Sequence, residues 1–339
     1  MSAAEGGAIL WYYTSNTNTC SQSESATALP SEWILYRDIE IDMIEEAYQK
    51  GMPHLLLDRY RIDLATYTHV VLDTSDEHRV TKREVVANRI TGLRSNRFGS
   101  LPGITSTSIP TPTYGAYSTW CPFLTAWLNT SAGKRILFQF SSCIEICAEG
   151  IIEEAKTHSN KVTIEAAYMA KKIQECLNKP RVEVSKTAIG LYTKDSFLYF
   201  ALNKAVREYD LSKLFTLGPL CFLINDYASV AEEFVGIVYR GVQLTNADIQ
   251  EYRQAIGTWK TWPAYTSTSK NRTLAEAYGN TLFVIEIIHC PLSAPRNFDI
   301  AEFSSFPEEE EVLLLAGCSF QVVHVHYDLR QKLIIDARI

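Results

Sequence analysis

The chain has 339 residues, 46% hydrophobic and 21% charged, with 32 Lys+Arg against 39 Asp+Glu for a formal net charge of −7. That length suits two domains with sizeable cores, and the composition excludes wholesale disorder and a collagen-like chain. The acidic balance excludes a nucleic-acid binder held by overall charge, and apolar runs such as Leu313 to Gly317 are far too short to span a bilayer. The first residues carry no basic segment and no long apolar core, so no signal peptide is expected. Eight scattered cysteines without a CxxC pair read as reduced thiols, which makes an intracellular protein, cytoplasmic or nuclear, the expectation. Cys143 and Cys147 are four apart with no further ligands nearby, so they read as core packing and no metal is expected.

In chain order, Ile9 to Tyr13 reads as an aromatic strand, followed by a polar loop reaching Pro30 and a second strand at Trp33 to Tyr36. Asp38 reads as a helix N-cap, with Ile41, Ile44 and Tyr48 at helical spacing; Gly51 ends the helix and Pro53 prevents its continuation. Strand-like runs follow at Tyr60 to Leu64, Tyr67 to Leu72 and Arg79 to Val86. Residues 8–90 thus form a small α+β module in which a half-open sheet packs one helix. Residues 91–119, rich in Gly, Pro, Ser and Thr, read as an extended linker.

Residues 120–335 read as a second domain. Helices are expected at Trp120 to Leu128, Cys143 to Lys156, Thr163 to Leu177, Asp195 to Tyr209 and Pro219 to Phe234. Strands are expected at Ile237 to Tyr239, Leu282 to Ile288, Glu311 to Leu315 and Phe320 to Tyr327. The fold class is α+β: the small module, a linker, a helical lead-in and a strand-rich half.

Trp11-Tyr12-Tyr13, Trp33, Ile44 to Tyr48, Tyr60, Ile62-Asp63-Leu64 and Arg79 to Arg83 resemble a WWE domain, a half-barrel with one helix. The long loop Thr14 to Pro30 departs from that family. The resemblance implies binding of poly(ADP-ribose) or its iso-ADP-ribose unit, with Tyr13, Tyr60 and Arg79 as contacts and His69 where the family often has glutamine. The chemistry agrees, since adenine stacks on aromatic faces and phosphate pairs with a guanidinium fork. Trp11 and Trp33 read as core, whereas Tyr13, Tyr60 and Arg79 fit either a core or a ligand site. Arg79 to Arg97 holds six basic residues and one acid, a solvated face that also attracts a polyanion.

Three separated elements of the second domain make sense together. They are Val238-Tyr239-Arg240-Gly241, Tyr265-Thr266-Ser267-Thr268-Ser269, and the four acids Glu308 to Glu311 running into an apolar strand. Period two puts Glu309 and Glu311 on one face, with Glu310 pointing away. A second Ser-Thr-Ser at Ser106 to Ser108 lies in the linker without a flanking strand and reads as a decoy. In this order the elements resemble the R-S-E signature of arginine-directed mono-ADP-ribosyltransferases. Supporting text at Leu191 to Thr193, Phe197 to Tyr199, Leu202-Asn203 and Val206-Arg207 resembles that family's helical lead-in.

The resemblance implies a split β-sheet that holds NAD as substrate, and no metal. Cleaving nicotinamide from ribose builds an oxocarbenium-like cation. In that scheme Glu311 binds the ribose hydroxyl and stabilises the cation, Ser267 orients Glu311, and Arg240 holds the diphosphate. Gly241 lets the backbone read the nicotinamide amide. Tyr278 either stacks on nicotinamide or packs as a core tyrosine. Glu309 engages the guanidinium of a protein acceptor presented by the loop Asp299 to Glu308. His324 and His326 share a strand face but lack further ligands. The function expected is transfer of ADP-ribose from NAD to arginine, with NAD hydrolysis or an inactive ADP-ribose-binding scaffold as alternatives. No membrane partner is expected.

Overall fold

The computed structural model describes residues 8–15, 33–72, 78–86, 105–106, 121–136, 138–158, 162–289 and 295–339. Most of the loop Thr14 to Pro30 and of the expected linker lies outside the described residues. In the module, β1 (Ala8–Thr14), β2 (Trp33–Leu35), β3 (His54–Leu56), β4 (Tyr60–Asp63), β5 (Thr68–Val71) and β6 (His78–Val86) form one sheet. Its order is β2-β1-β6-β5-β4-β3, antiparallel throughout. Helix α1 (Asp38–Gln49) lays Ile39, Ile44 and Ala47 onto Leu10, Trp11, Tyr36 and Ile62.

Three local expectations are corrected here. The N-cap is Arg37, not Asp38, and the first turn is closed by Arg37 N–H donating to Glu40 at 3.0 Å. Trp33 is 39% exposed, not core; the Lys82 ammonium lies 4.7 Å above its ring and 4.8 Å above that of Tyr12. Strand β3 was not foreseen, because Pro53 and Leu55 to Leu57 offer no alternation to read. Trp11 is core as expected. Its indole N–H donates to Glu45 at 2.9 Å, and Arg83 grips the same carboxylate with two bonds of 2.9 Å. That guanidinium holds the Glu45 carboxyl down to about 2.

The second region begins with α2 (Pro122–Leu128), α3 (Ser131–Ile136), α4 (Ser141–Thr157), α5 (Thr163–Gln174), α6 (Arg181–Thr193), α7 (Phe197–Glu208) and α8 (Leu214–Asp226). Helix α8 is buried on nearly every side, as a helix apolar all round must be. Pro219 was expected to open this helix, yet it lies inside it. The first turn is instead built by Leu214 to Gly218, ahead of the proline.

Among the described residues a second sheet has nine strands: β7 (Thr105–Ser106), β8 (Gly236–Val242), β9 (Trp259–Trp262), β10 (Thr266–Ser269), β11 (Thr281–Ile287), β12 (Asn297–Asp299), β13 (Glu311–Leu314), β14 (Cys318–Tyr327) and β15 (Leu333–Arg338). Their order is β12-β13-β10-β8-β11-β15-β14-β9-β7. Ser106, the described residue of the second Ser-Thr-Ser, is therefore strand, paired with Lys260, contrary to the expectation of no flanking strand. Strands β9 and β10 lie five places apart, about 24 Å in a flat sheet, yet three residues join them. Three linking residues reach at most about 14 Å, so the sheet folds over into two layers. Val238, Phe283, Ile285, Val312, Leu314 and Phe320 fill the space between the layers.

The module docks on the helical region through polar contacts. Asp58 accepts the N–H groups of Ile164 and Glu165 at 2.9 and 3.1 Å, capping the start of α5 from outside it. Glu46 pairs with Lys172 at 2.8 Å and Lys171 at 3.4 Å, and Arg37 with Glu165 at 3.2 Å. Burial raises the Glu165 carboxyl to about 7, outweighing the pull of Arg37. A raised acid binds its proton more tightly in the folded chain, so its contribution is present in acid and is lost as pH rises towards 7. Stability relative to Glu165→Gln is therefore expected to fall between about pH 5 and about pH 8, by on the order of 3 kcal/mol. Urea denaturation of both proteins across that range checks this. A pH-independent difference contradicts it.

Candidate functional site

Three adjacent strands bring the expected residues together. Ser269 on β10 lies opposite Glu311 on β13 and opposite Tyr239 on β8. Directly opposed residues share a face, so Tyr239, Gly241, Ser267, Ser269, Glu311 and Leu313 face one way. Ser267 pairs with Leu313, leaving Glu311 as its diagonal neighbour, at about 7–8 Å between backbones. Glu311 is fully buried and Glu309 is 5% exposed.

The two glutamates reach this interior by a route that period two does not describe. Pro307–Glu309 form a 3₁₀ turn, Glu310 is left-handed at φ 44°, and β13 starts only at Glu311. A left-handed non-glycine residue costs on the order of 1 kcal/mol and persists only where surrounding bonds fix it. Here Ser269 Oγ donates to the Glu309 carbonyl at 2.7 Å, Lys270 N–H to that of Glu310 at 3.0 Å, and Ile300 N–H to that of Glu311 at 3.0 Å. Ser269 was not singled out in the sequence; its place at the end of the Ser-Thr-Ser run is the signal that marks it.

Arg240 lies on the opposite face, among the residues between the two layers, and is 2% exposed. Strands β8 and β10 meet only at Tyr239 and Ser269, then diverge. Beyond that pair Arg240 Nη1 donates to the Ser267 carbonyl at 2.6 Å, supplying a bond that the backbone of β8 does not make. This differs from a guanidinium exposed to grip a diphosphate. Gly241 also differs from expectation. A Cβ there would stand 1.9 Å from the Ala275 carbonyl and 2.8 Å from Tyr278 Cβ, so the glycine admits α9 (Arg272–Glu276) and Tyr278. Tyr278 is half-buried against it. On the Glu311 face, the half-exposed Arg272 guanidinium lies 5.9 Å from the Tyr239 ring centre.

In the module, Tyr13, Tyr36, Tyr60 and His69 form one aromatic cluster. The Tyr60–His69 centroids are 4.2 Å apart, and those of Tyr13–His69 and Tyr13–Tyr36 are 4.9 Å apart. Arg79 lies 5.7 Å over the Tyr13 ring. His69 is 1% exposed, joined to Tyr36 Oη at 2.8 Å, and lowered to about 4, chiefly by burial. It is therefore a neutral ring beneath the cluster, while Tyr13, Tyr60 and Arg79 are half-buried around it. Tyr36 was not anticipated as a member.

His324 and His326 both approach Asp336, at 3.7 and 3.6 Å. Among the described residues no group of His, Cys, Asp and Glu has the arrangement of a metal site, and no helix is long and apolar enough to cross a membrane.

The chain belongs to the NAD:arginine ADP-ribosyltransferase family, whose model matches residues 149–337, more than half of its length. A comparison with curated proteins finds no match. Among solved structures, the chain is similar to the ADP-ribosyltransferase HopU1 of Pseudomonas syringae pv. tomato DC3000. That pair shares 18% identity over 58% of this chain and 96% of the other, with a TM-score of 0.43. It is also similar to exoenzyme S of Pseudomonas aeruginosa, at 17% identity over 57% and 88% of the two chains and TM-score 0.40. The type III effector XopAI of Xanthomonas axonopodis pv. citri gives 15%, 64%, 95% and 0.43.

Ser269→Ala removes the hydroxyl that fixes the Glu309 carbonyl. It is expected to lower folding stability by roughly 1–3 kcal/mol, the cost of a buried acceptor left without its donor. Chemical denaturation measures this, and an unchanged midpoint contradicts the clamp.

Proposed function

We propose that this ADP-ribosyltransferase moves ADP-ribose from NAD to arginine side chains, using Glu311 and Glu309, and that the N-terminal module is a WWE domain that reads iso-ADP-ribose. The observation that carries the first part is the clamped turn that buries both glutamates beside the Ser267–Ser269 strand. A carboxylate in such a site stabilises a developing cation far more than one in water does. Glu311 meets the ribose as nicotinamide departs, and Ser267 orients it across the strand pair. Glu309 anchors the acceptor guanidinium and takes its proton; the unperturbed pKa of that group exceeds ~12, so it needs a carboxylate beside it.

In this reading Arg240 is a positioning residue. It holds β10 where the sheet divides, and the diphosphate falls to Arg272, whose half-exposed guanidinium supports that role. Tyr278 flanks the nicotinamide.

Glu311→Gln is expected to abolish both transfer and NAD hydrolysis, because the ribose cation precedes either outcome. Glu309→Gln is expected to abolish transfer to agmatine while keeping much of the hydrolysis. Nicotinamide release with and without agmatine distinguishes them. Wild-type transfer rates in Glu309→Gln contradict the acceptor role, and no nicotinamide release by the wild type contradicts the enzyme reading.

For the module, the half-buried aromatic faces of Tyr13 and Tyr60 beside Arg79 support adenine stacking and phosphate pairing. His69, buried and neutral, lies against both rings. Arg79→Ala is expected to weaken iso-ADP-ribose binding by roughly 1.5–3 kcal/mol, the loss of a charged hydrogen bond. Calorimetry on the full chain reads this directly. Absence of heat from the wild type at millimolar ligand makes the aromatics structural.

A further inference from the structure

The turn between α6 and α7 joins the module to the loop that leads into Glu309. Lys194 in that turn is largely buried, and its Nζ donates to Ser305 Oγ at 2.7 Å and pairs with Asp42 of α1 at 2.9 Å. The next residue, Asp195, donates its backbone N–H to Asp38 of α1 at 2.7 Å. Asp38 and Asp42 lie one helical turn apart, so a single face of α1 holds this turn at two points. On the other side, Ser305 stands four residues before Glu309. Its loop is folded on itself, with Ser304 N–H bonded to the Ile300 carbonyl at 2.8 Å and Phe306 N–H to Ser304 Oγ at 3.1 Å. Phe303 packs 5.1 Å from the Tyr227 ring, with the Lys186 ammonium 5.8 Å away.

We propose that Lys194 is a positioning residue for the acceptor loop, and that through it the N-terminal module sets the shape of that loop. The inference rests on the transferase reading above for what the loop does, and on these contacts for how it is held. A largely buried ammonium needs a carboxylate partner, and Asp42 brings it from the module. With the charge balanced, the remaining donors of the ammonium are directed at Ser305. Without Asp42 the lysine turns towards water and releases the loop. Helix α1 also carries Glu40, which accepts the Tyr60 hydroxyl at 2.5 Å. One rigid helix therefore touches both the aromatic cluster and the tether. A ligand that shifts Tyr60 acts on the acceptor loop through this helix, not through the NAD-binding strands.

The test uses the full chain with Lys194→Met and Asp42→Asn. Glu46→Gln serves as control, because it loosens the docking of α1 on α5 without touching the loop. Hydrogen exchange of residues 300–308 is expected to quicken by roughly tenfold in both tether variants, as local opening becomes easier, and to stay unchanged in the control. The ratio of agmatine modification to nicotinamide release is expected to fall by about tenfold in Lys194→Met, with partial rescue by Lys194→Arg, because a loosened loop misplaces the acceptor and not the NAD. Unchanged loop exchange in Lys194→Met overturns the proposal. So does a loosened loop whose product ratio stays at the wild-type value. If the wild type releases no nicotinamide, the transferase reading fails, while the exchange result still decides the tether.

Discussion

Ser269 bears on three elements at once. Its backbone is the one meeting point of β8 and β10, its register partner across β13 is Glu311, and its hydroxyl holds the Glu309 carbonyl. A sheet joined at a single pair opens beyond it, and that opening gives the site its place. Arg240 keeps the opening from spreading by bonding the Ser267 carbonyl from the side of the inner core. The left-handed Glu310 persists because its neighbours on both sides are bonded. Strain at the site is thus held by ordinary hydrogen bonds in the surrounding strands, an arrangement that keeps two carboxylates in a fixed relation before any substrate arrives.

The docking of the module follows the same economy. Helix α1 divides its acids between two tasks: Glu40 and Glu45 hold Tyr60, Trp11 and Arg83 within the module, whereas Asp38, Asp42 and Glu46 reach across to the second region. These contacts are polar and partly exposed, so each contributes modestly. Their value lies in direction, because they fix which residues of the helical region stand near the loop 299–308.

Much of this was legible from residue pattern. The strands around Trp11 and Arg79 and most of the helices follow from periodicity, and the acidic run ahead of Val312 marked the glutamates. What periodicity missed has physical reasons. Short strands such as Trp259–Trp262 and Asn297–Asp299 carry too few residues for alternation, and β15 was passed over although Leu333 to Ile335 form an apolar run. The alternation argument for Glu309 and Glu311 assumed strand where the chain makes a 3₁₀ turn, so the shared interior was anticipated for a reason the backbone does not use. Gly241 was read as room for a ligand, but the room is taken by α9 and Tyr278. The face on which Arg240 lies depends on register with β10, and register is a tertiary property that no single strand contains.

In the proposed reaction NAD is cleaved on the face shared by Tyr239, Ser269 and Glu311. The most direct measurement is a crystal structure of the chain with an unreactive NAD analogue. A nicotinamide-ribose hydroxyl is expected within hydrogen-bond distance of the Glu311 carboxylate. An analogue bound with its ribose away from Glu311, or on the Arg240 side of the sheet, contradicts it.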